Sequence, residues 1–183
     1  LQRQQPLAPG YAGEVVIEDG WFKSFDGARL GLSHWPDRSN FCPASLGVVA
    51  DGCVLVRTGY REPETVIIAL HGMNDYAGAF RSAGDWWSSQ GAWVYAYDQR
   101  GFGRSPQPGV WPETHLLTAD LKAITSAVRR RHPSARIAVV GESMGAAVAA
   151  VAFASDDPPD ADALILSGPG FRGWSALPPL YSA

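Results

Sequence analysis

The sequence predicts an α/β fold, a mostly parallel sheet covered by helices on both faces and opened by an antiparallel hairpin. Three observations carry this. Short apolar runs, "TVIIAL" at 65–70, "AWVYAYD" at 92–98 and "RIAVVG" at 136–141, alternate with segments of helical pattern, as parallel strands buried on both faces require. Between the last two runs, Leu117, Leu121, Ile124 and Val128 share one stripe of a helix. Upstream, "WFKSF" and "RLGLSHW" flank Asp26-Gly27, a dipeptide suited to the tight turn of a hairpin.

Taken in chain order, residues 1–13 read as an extended leader and "EVVIEDG" as the first extended segment. Residues 37–63 hold no sustained period and read as an irregular excursion from the sheet, within which "CVLVRT" can form a strand. A short helix is expected over residues 80–89. The striped helix runs over 114–132, with Arg129, Arg130 and Arg131 favourably placed at its negative C-terminal end and Pro133 stopping it. A small-residue helix over 145–154 and a strand in "ADALILSG" complete the series. Residues 1–183 are thus expected to form one α/β domain.

A chain of 183 residues with 46% hydrophobic and 18% charged residues can bury a real core. Its net charge of −3, with 15 Lys and Arg in all, offers no basic patch for a nucleic acid. No apolar run reaches the roughly 20 residues of a transmembrane helix. The two cysteines, Cys42 and Cys53, can close a small disulfide loop in an exported protein or stand as two free thiols. The compartment and oligomeric state stay open.

The chemistry concentrates in Gly141-Glu142-Ser143-Met144-Gly145. This is G-x-S-x-G between an apolar strand and a helix, the arrangement of a nucleophile elbow, in which a strained turn exposes the serine hydroxyl. The helix that follows offers unpaired N–H groups and a positive dipole end, both suited to an oxyanion. Acyl transfer needs a second donor from a loop after an earlier strand. Here "ALHGMNDYAGAF" at 69–80 places His71-Gly72 at a strand end, so the main-chain N–H groups of Met73 and Met144 can supply the pair, with His71, Gly72, Gly141 and Gly145 supporting the turns. Gly72 permits the close backbone approach an oxyanion requires. Glu142 adjoins the nucleophile across a sharp turn and reads as a support of the elbow. In "YDQRGFGRS", at 97–105, Asp98 and Arg100 read as holding a glycine-rich turn.

Together "HGMNDYAGAF", "YDQRGFGRSP" and "GESMG", in this order and at these intervals, resemble the α/β-hydrolase fold, and within it the monoacylglycerol lipase and lysophospholipase-like serine hydrolases. The resemblance spans about residues 21–169. It implies a nucleophile at Ser143, oxyanion donors at Met73 and Met144, a carboxylic ester substrate such as an acylglycerol or lysophospholipid, and no metal or organic cofactor. It also implies that residues 1–183 are the N-terminal portion of the domain, with the cap region and last strands expected outside them and peripheral membrane contact expected through that cap. Asn74-Asp75-Tyr76 stands where lipases of this group often carry Glu-His, and residues 37–63 are longer than the usual link.

A serine needs a base, normally a histidine oriented by a carboxylate, and in this fold the chain order is Ser, then Asp or Glu, then His. Asp156, Asp157, Asp160 and Asp162 follow Ser143 in what reads as a solvated loop, but no histidine does. His34 belongs to the hairpin, His71 reads as structural, and His115 and His132 flank a helix, where solvent exposure or a dipole-stabilising role is the default. The triad acid and base are therefore expected outside this chain. Two alternatives to ester hydrolysis stay open: a hydrolase of another acyl or C–C bond, and a non-catalytic domain that keeps the elbow without a base. "GPGFRG" at 168–173 matches G-x-G-x-x-G, but Trp174, Pro178 and Pro179 follow in place of the helix and acidic ribose ligand that a dinucleotide site needs.

Overall fold

The computed structural model describes residues 14–36 and 62–170. The leader, nearly all of the 37–63 excursion with its "CVLVRT" segment, both cysteines and Trp174, Pro178 and Pro179 lie outside them. Seven strands form one sheet in the order β1-β2-β3-β5-β4-β6-β7. β1 (Val16–Glu18), β2 (Trp21–Lys23) and β3 (Arg29–Trp35) are antiparallel, with Gly27 at φ 82° in the predicted hairpin turn. β3 also runs antiparallel to β5 (Ala92–Tyr97), so the antiparallel part extends beyond the hairpin on both sides, to β1 and to β5. β4 (Thr65–Leu70), β5, β6 (Arg136–Glu142) and β7 (Ala163–Ser167) are parallel throughout.

The alternation of side chains builds two cores. Val66, Ile68 and Leu70 of β4 join Tyr95, Tyr97, Ile137 and Val139 on one face, beneath α2 (Thr114–Arg131) and α3 (Met144–Phe153). Ile67 and Ala69 point the other way and join Val94, Ala96 and Val140 with Trp35 and Phe80, against α1 (Arg81–Ser89) and the 3-10 turn Ala77–Phe80 that leads into it. The α2 stripe of Leu117, Leu121, Ile124 and Val128 is buried as its spacing predicts. Fully burying an aliphatic side chain of this size contributes about 1.5–3 kcal/mol, so the stripe alone fixes α2 to the sheet. Among the described residues no helix is long and apolar enough to cross a membrane.

Strand order decides where a site can form. From β4 the chain crosses to β5 on one side, then returns past β4 to β6 on the other. The loops leaving β4 and β6 therefore part at a topological switch point, the place where open parallel sheets leave a crevice beyond their strand ends. Leu70 pairs with Gly141, which brings His71-Gly72 beside Glu142-Ser143.

Candidate active site

Ser143 follows β6 and caps α3 with φ 49° and ψ −109°, a combination outside the regions open to an L residue. Three hydrogen bonds hold this turn. The Ser143 N–H donates to the Ser167 carbonyl at 2.9 Å, and the Ser143 carbonyl accepts from Ala147 N–H and Gly170 N–H, each at 3.1 Å. Gly168-Pro169-Gly170, the start of the G-x-G-x-x-G match, thus clasps the elbow through Gly170. Ser143 itself is exposed, and among the described residues its hydroxyl has no partner.

The glycines around it are required by contact with backbone. A Cβ on Gly145 would lie 2.3 Å from the Leu70 carbonyl oxygen and 2.7 Å from that of His71, and one on Gly141 would lie 2.6 Å from Ala146 backbone. Neither neighbour is a flexible side chain that could turn aside. The two glycines let α3 start against the ends of β4 and β6, and this pins its N-terminus, with its unpaired N–H groups, beside the serine. Met144 is buried there, while Met73 is exposed on the facing loop.

Gly72 completes the approach. A Cβ there would sit 3.5 Å from the Ser143 Cβ, so the Gly72–Met73 peptide lies against the elbow. Among the described residues nothing accepts from the Met73 N–H.

The loop after β5 clamps the loop after β4. His71 is fully buried, with Nδ1 2.7 Å from the Gly72 carbonyl and Nε2 2.9 Å from the Gln99 N–H. Gln99 Nε2 also donates to the His71 carbonyl at 2.8 Å. Asp98 accepts from the Ala77 N–H at 2.7 Å and the Arg104 N–H at 2.9 Å. Burial pushes the His71 ring below its usual range, opposed by the Gly72 carbonyl and by Asp98, Asp75 and Glu142.

Arg100 has a larger part than holding a turn. Its guanidinium is buried between two carboxylates, in a bidentate pair with Asp26 at 2.7 Å and a second pair with Asp120 at 2.7 and 2.8 Å. Ser24 donates to Asp120 as well. Burial pushes the Asp120 carboxyl up, partly offset by Arg100. One cation thereby ties the hairpin turn, the β5 loop and α2 together behind the site.

Glu142 adjoins Ser143 and is exposed at the end of β6, whereas the other three histidines lie elsewhere. His115 is exposed beside Glu113, as expected, and His34 stacks on Tyr95. His132 corrects its expectation. It is buried, with Nε2 2.8 Å from the Tyr95 hydroxyl and its ring against Trp93, and burial, helped by Arg131, holds its pKa at about 4. A neutral ring adds no charge to the helix end, because the chain after α2 turns this side chain inward. The aspartate loop is also more than a solvated connection: Asp162 accepts from the Ile137 N–H and pairs with Arg129, and Asp160 meets the same arginine. None of the four histidines is a hydrogen-bond partner of Ser143.

Residues 61–183 match the family described as serine aminopeptidase, S33. A monoacylglycerol lipase of Mycolicibacterium smegmatis is 28% identical over 127 residues, covering 67% of this chain and 44% of that protein. Solved structures share the fold, and two of them illustrate it. A soluble variant of monoglyceride lipase from Saccharomyces cerevisiae, bound to a substrate analog, superposes with a TM-score of 0.58 at 22% identity, covering 88% of this chain and 48% of that one. A thermostable carboxyl esterase from Bacillus coagulans, in complex with glycerol, gives 0.59 at 18%, covering 80% and 42%. The chain spans less than half the length of each of these relatives. With its switch-point elbow and this match over two-thirds of its length, the chain belongs to the S33 serine aminopeptidase family of α/β hydrolases.

Proposed function

We propose that this chain carries the nucleophile and oxyanion site of a carboxylic ester hydrolase acting on an acylglycerol or a lysophospholipid. The observation that supports this most is Ser143, held exposed at φ 49° and facing the Gly72–Met73 peptide where the β4 and β6 loops part. In this reading Ser143 Oγ attacks the ester carbonyl carbon while a base takes its proton. The carbonyl π pair moves to oxygen, where the N–H groups of Met73 and Met144 receive it. Collapse expels the alcohol, which leaves protonated, and forms the acyl-enzyme. Water then attacks the acyl carbon by the same route and releases the acid and the serine.

In this reading the base is a group other than the four histidines of residues 1–183, which are committed elsewhere or lie apart from Ser143. The glycerol ester is the preferred substrate because the curated relative is a monoacylglycerol lipase. No metal or organic cofactor enters these steps. A chain with an elbow and no base is the second reading, favoured by the positions of those histidines. The test is turnover of a monoacylglycerol, a lysophospholipid and a p-nitrophenyl ester by the protein expressed from its complete reading frame. Hydrolysis lost in Ser143→Ala supports the enzyme, and no hydrolysis of any ester supports the second reading.

A further inference from the structure

We propose that His71 is a positioning residue that aims the Met73 N–H at the reacting carbonyl, and that Gln99 fixes the tautomer in which it does so; this rests on the reading of Ser143 and Met73 given above. The Gly72 carbonyl, 2.7 Å from Nδ1, can only accept, so Nδ1 bears the proton. The Gln99 main-chain N–H, 2.9 Å from Nε2, can only donate, so Nε2 is bare. Both contacts are met by one species, the neutral ring protonated on Nδ1.

The carbonyl that His71 holds belongs to the same peptide plane as the Met73 N–H. In a trans peptide the C=O and N–H point in opposite directions, and resonance keeps them coplanar. There are no cis peptides among the described residues. Anchoring the oxygen on the His71 side therefore sends the N–H to the opposite side. Gly72, free of a side chain, would otherwise let that plane turn easily.

The ring is closely packed. It is fully buried, the edge of Phe102 lies 5.5 Å away centroid to centroid, and the Gln99 side chain holds the His71 carbonyl. Asp98, the preceding residue, fastens the far end of the same loop at Ala77. Two adjacent residues of the β5 loop thus hold both ends of the segment that carries Met73.

Two near-isosteric variants separate the halves of this role. Asn places an amide nitrogen as many bonds from the backbone as Nδ1, so His71→Asn keeps a donor for the Gly72 carbonyl. Gln places its polar atoms at the position of Nε2, so His71→Gln keeps the contact with Gln99 and loses that donor. A misplacement near 1 Å costs on the order of a hundredfold in rate. His71→Gln is expected to lower kcat roughly ten- to a hundredfold at unchanged KM, and His71→Asn to stay within about threefold of the parent. Thermal melting checks that both fold, and nitrogen NMR of the parent protein is expected to place the ring proton on Nδ1. A proton on Nε2, or equal kcat in the two variants, overturns the positioning role. Turnover lost in Ser143→Ala but retained in His71→Gln overturns it alone, whereas turnover retained in Ser143→Ala overturns the functional reading and the positioning role with it.

Discussion

Replacing Ser143 by glycine tests whether the elbow stores strain. At φ 49° and ψ −109° an L residue pays on the order of 1–3 kcal/mol, and the conformation persists because the Ser167 carbonyl and the Ala147 and Gly170 N–H groups hold it. Glycine removes that strain but gains unfolded-state freedom worth about 0.5–1 kcal/mol. The three backbone hydrogen bonds survive in either case. Ser143→Gly is therefore expected to stabilise the fold by up to about 2.5 kcal/mol. For a protein of this size that raises Tm by up to about 10 °C. Ser143→Ala is the control, since it keeps the Cβ, and with it the strain, while deleting a hydroxyl that has no partner among the described residues. Differential scanning calorimetry of both variants reads the difference. A Ser143→Gly protein that melts at or below the temperature of Ser143→Ala refutes the strained elbow.

Further expectations concern the groups behind the site. Arg100→Met leaves Asp26 and Asp120 buried without their cation and is expected to cost about 3–5 kcal/mol in urea unfolding, with Arg100→Lys recovering little because one ammonium cannot pair bidentately with Asp26 while holding Asp120. Loss of less than about 1 kcal/mol contradicts the account of this network. The His132 pKa, lowered from 6.5 to about 4, sets a pH window. The unfolded state takes up the proton first, so the stabilisation is complete above 6.5 and is lost as pH falls towards 4. It amounts to about 1–3 kcal/mol after allowance for solvent screening. His132→Phe should flatten that part of the stability–pH curve, and an unchanged curve contradicts the assignment.

Much of the fold is legible in local pattern. β4, β5 and β6 announce themselves because a parallel strand covered on both faces must be apolar at every position, and α2 because its stripe must meet the sheet. Ser143 is legible because strand, glycine-flanked serine and helix are contiguous. What escaped local reading depends on residues distant in sequence. Arg100 meets Asp26 across 74 positions, and nothing in "YDQRGFG" marks a buried cation. His132 follows three arginines at a helix end, where a solvated side chain is the default, yet Tyr95 and Trp93 of β5 draw it inward. The Gly170 clasp was equally hidden, because its N–H bonds to a residue on the neighbouring strand's loop. A signal existed for His71, whose place at the end of an apolar strand implied burial, but its partner Gln99 could be found only from the pairing of β4 with β5.

Covalent capture tests Ser143 as the nucleophile most directly. The protein expressed from its complete reading frame would be treated with a fluorophosphonate, digested, and mapped by mass spectrometry. The expected result is one phosphonylated peptide carrying the adduct on Ser143, absent from Ser143→Ala. An adduct on another residue, or equal labelling of the Ser143→Ala protein, would contradict it.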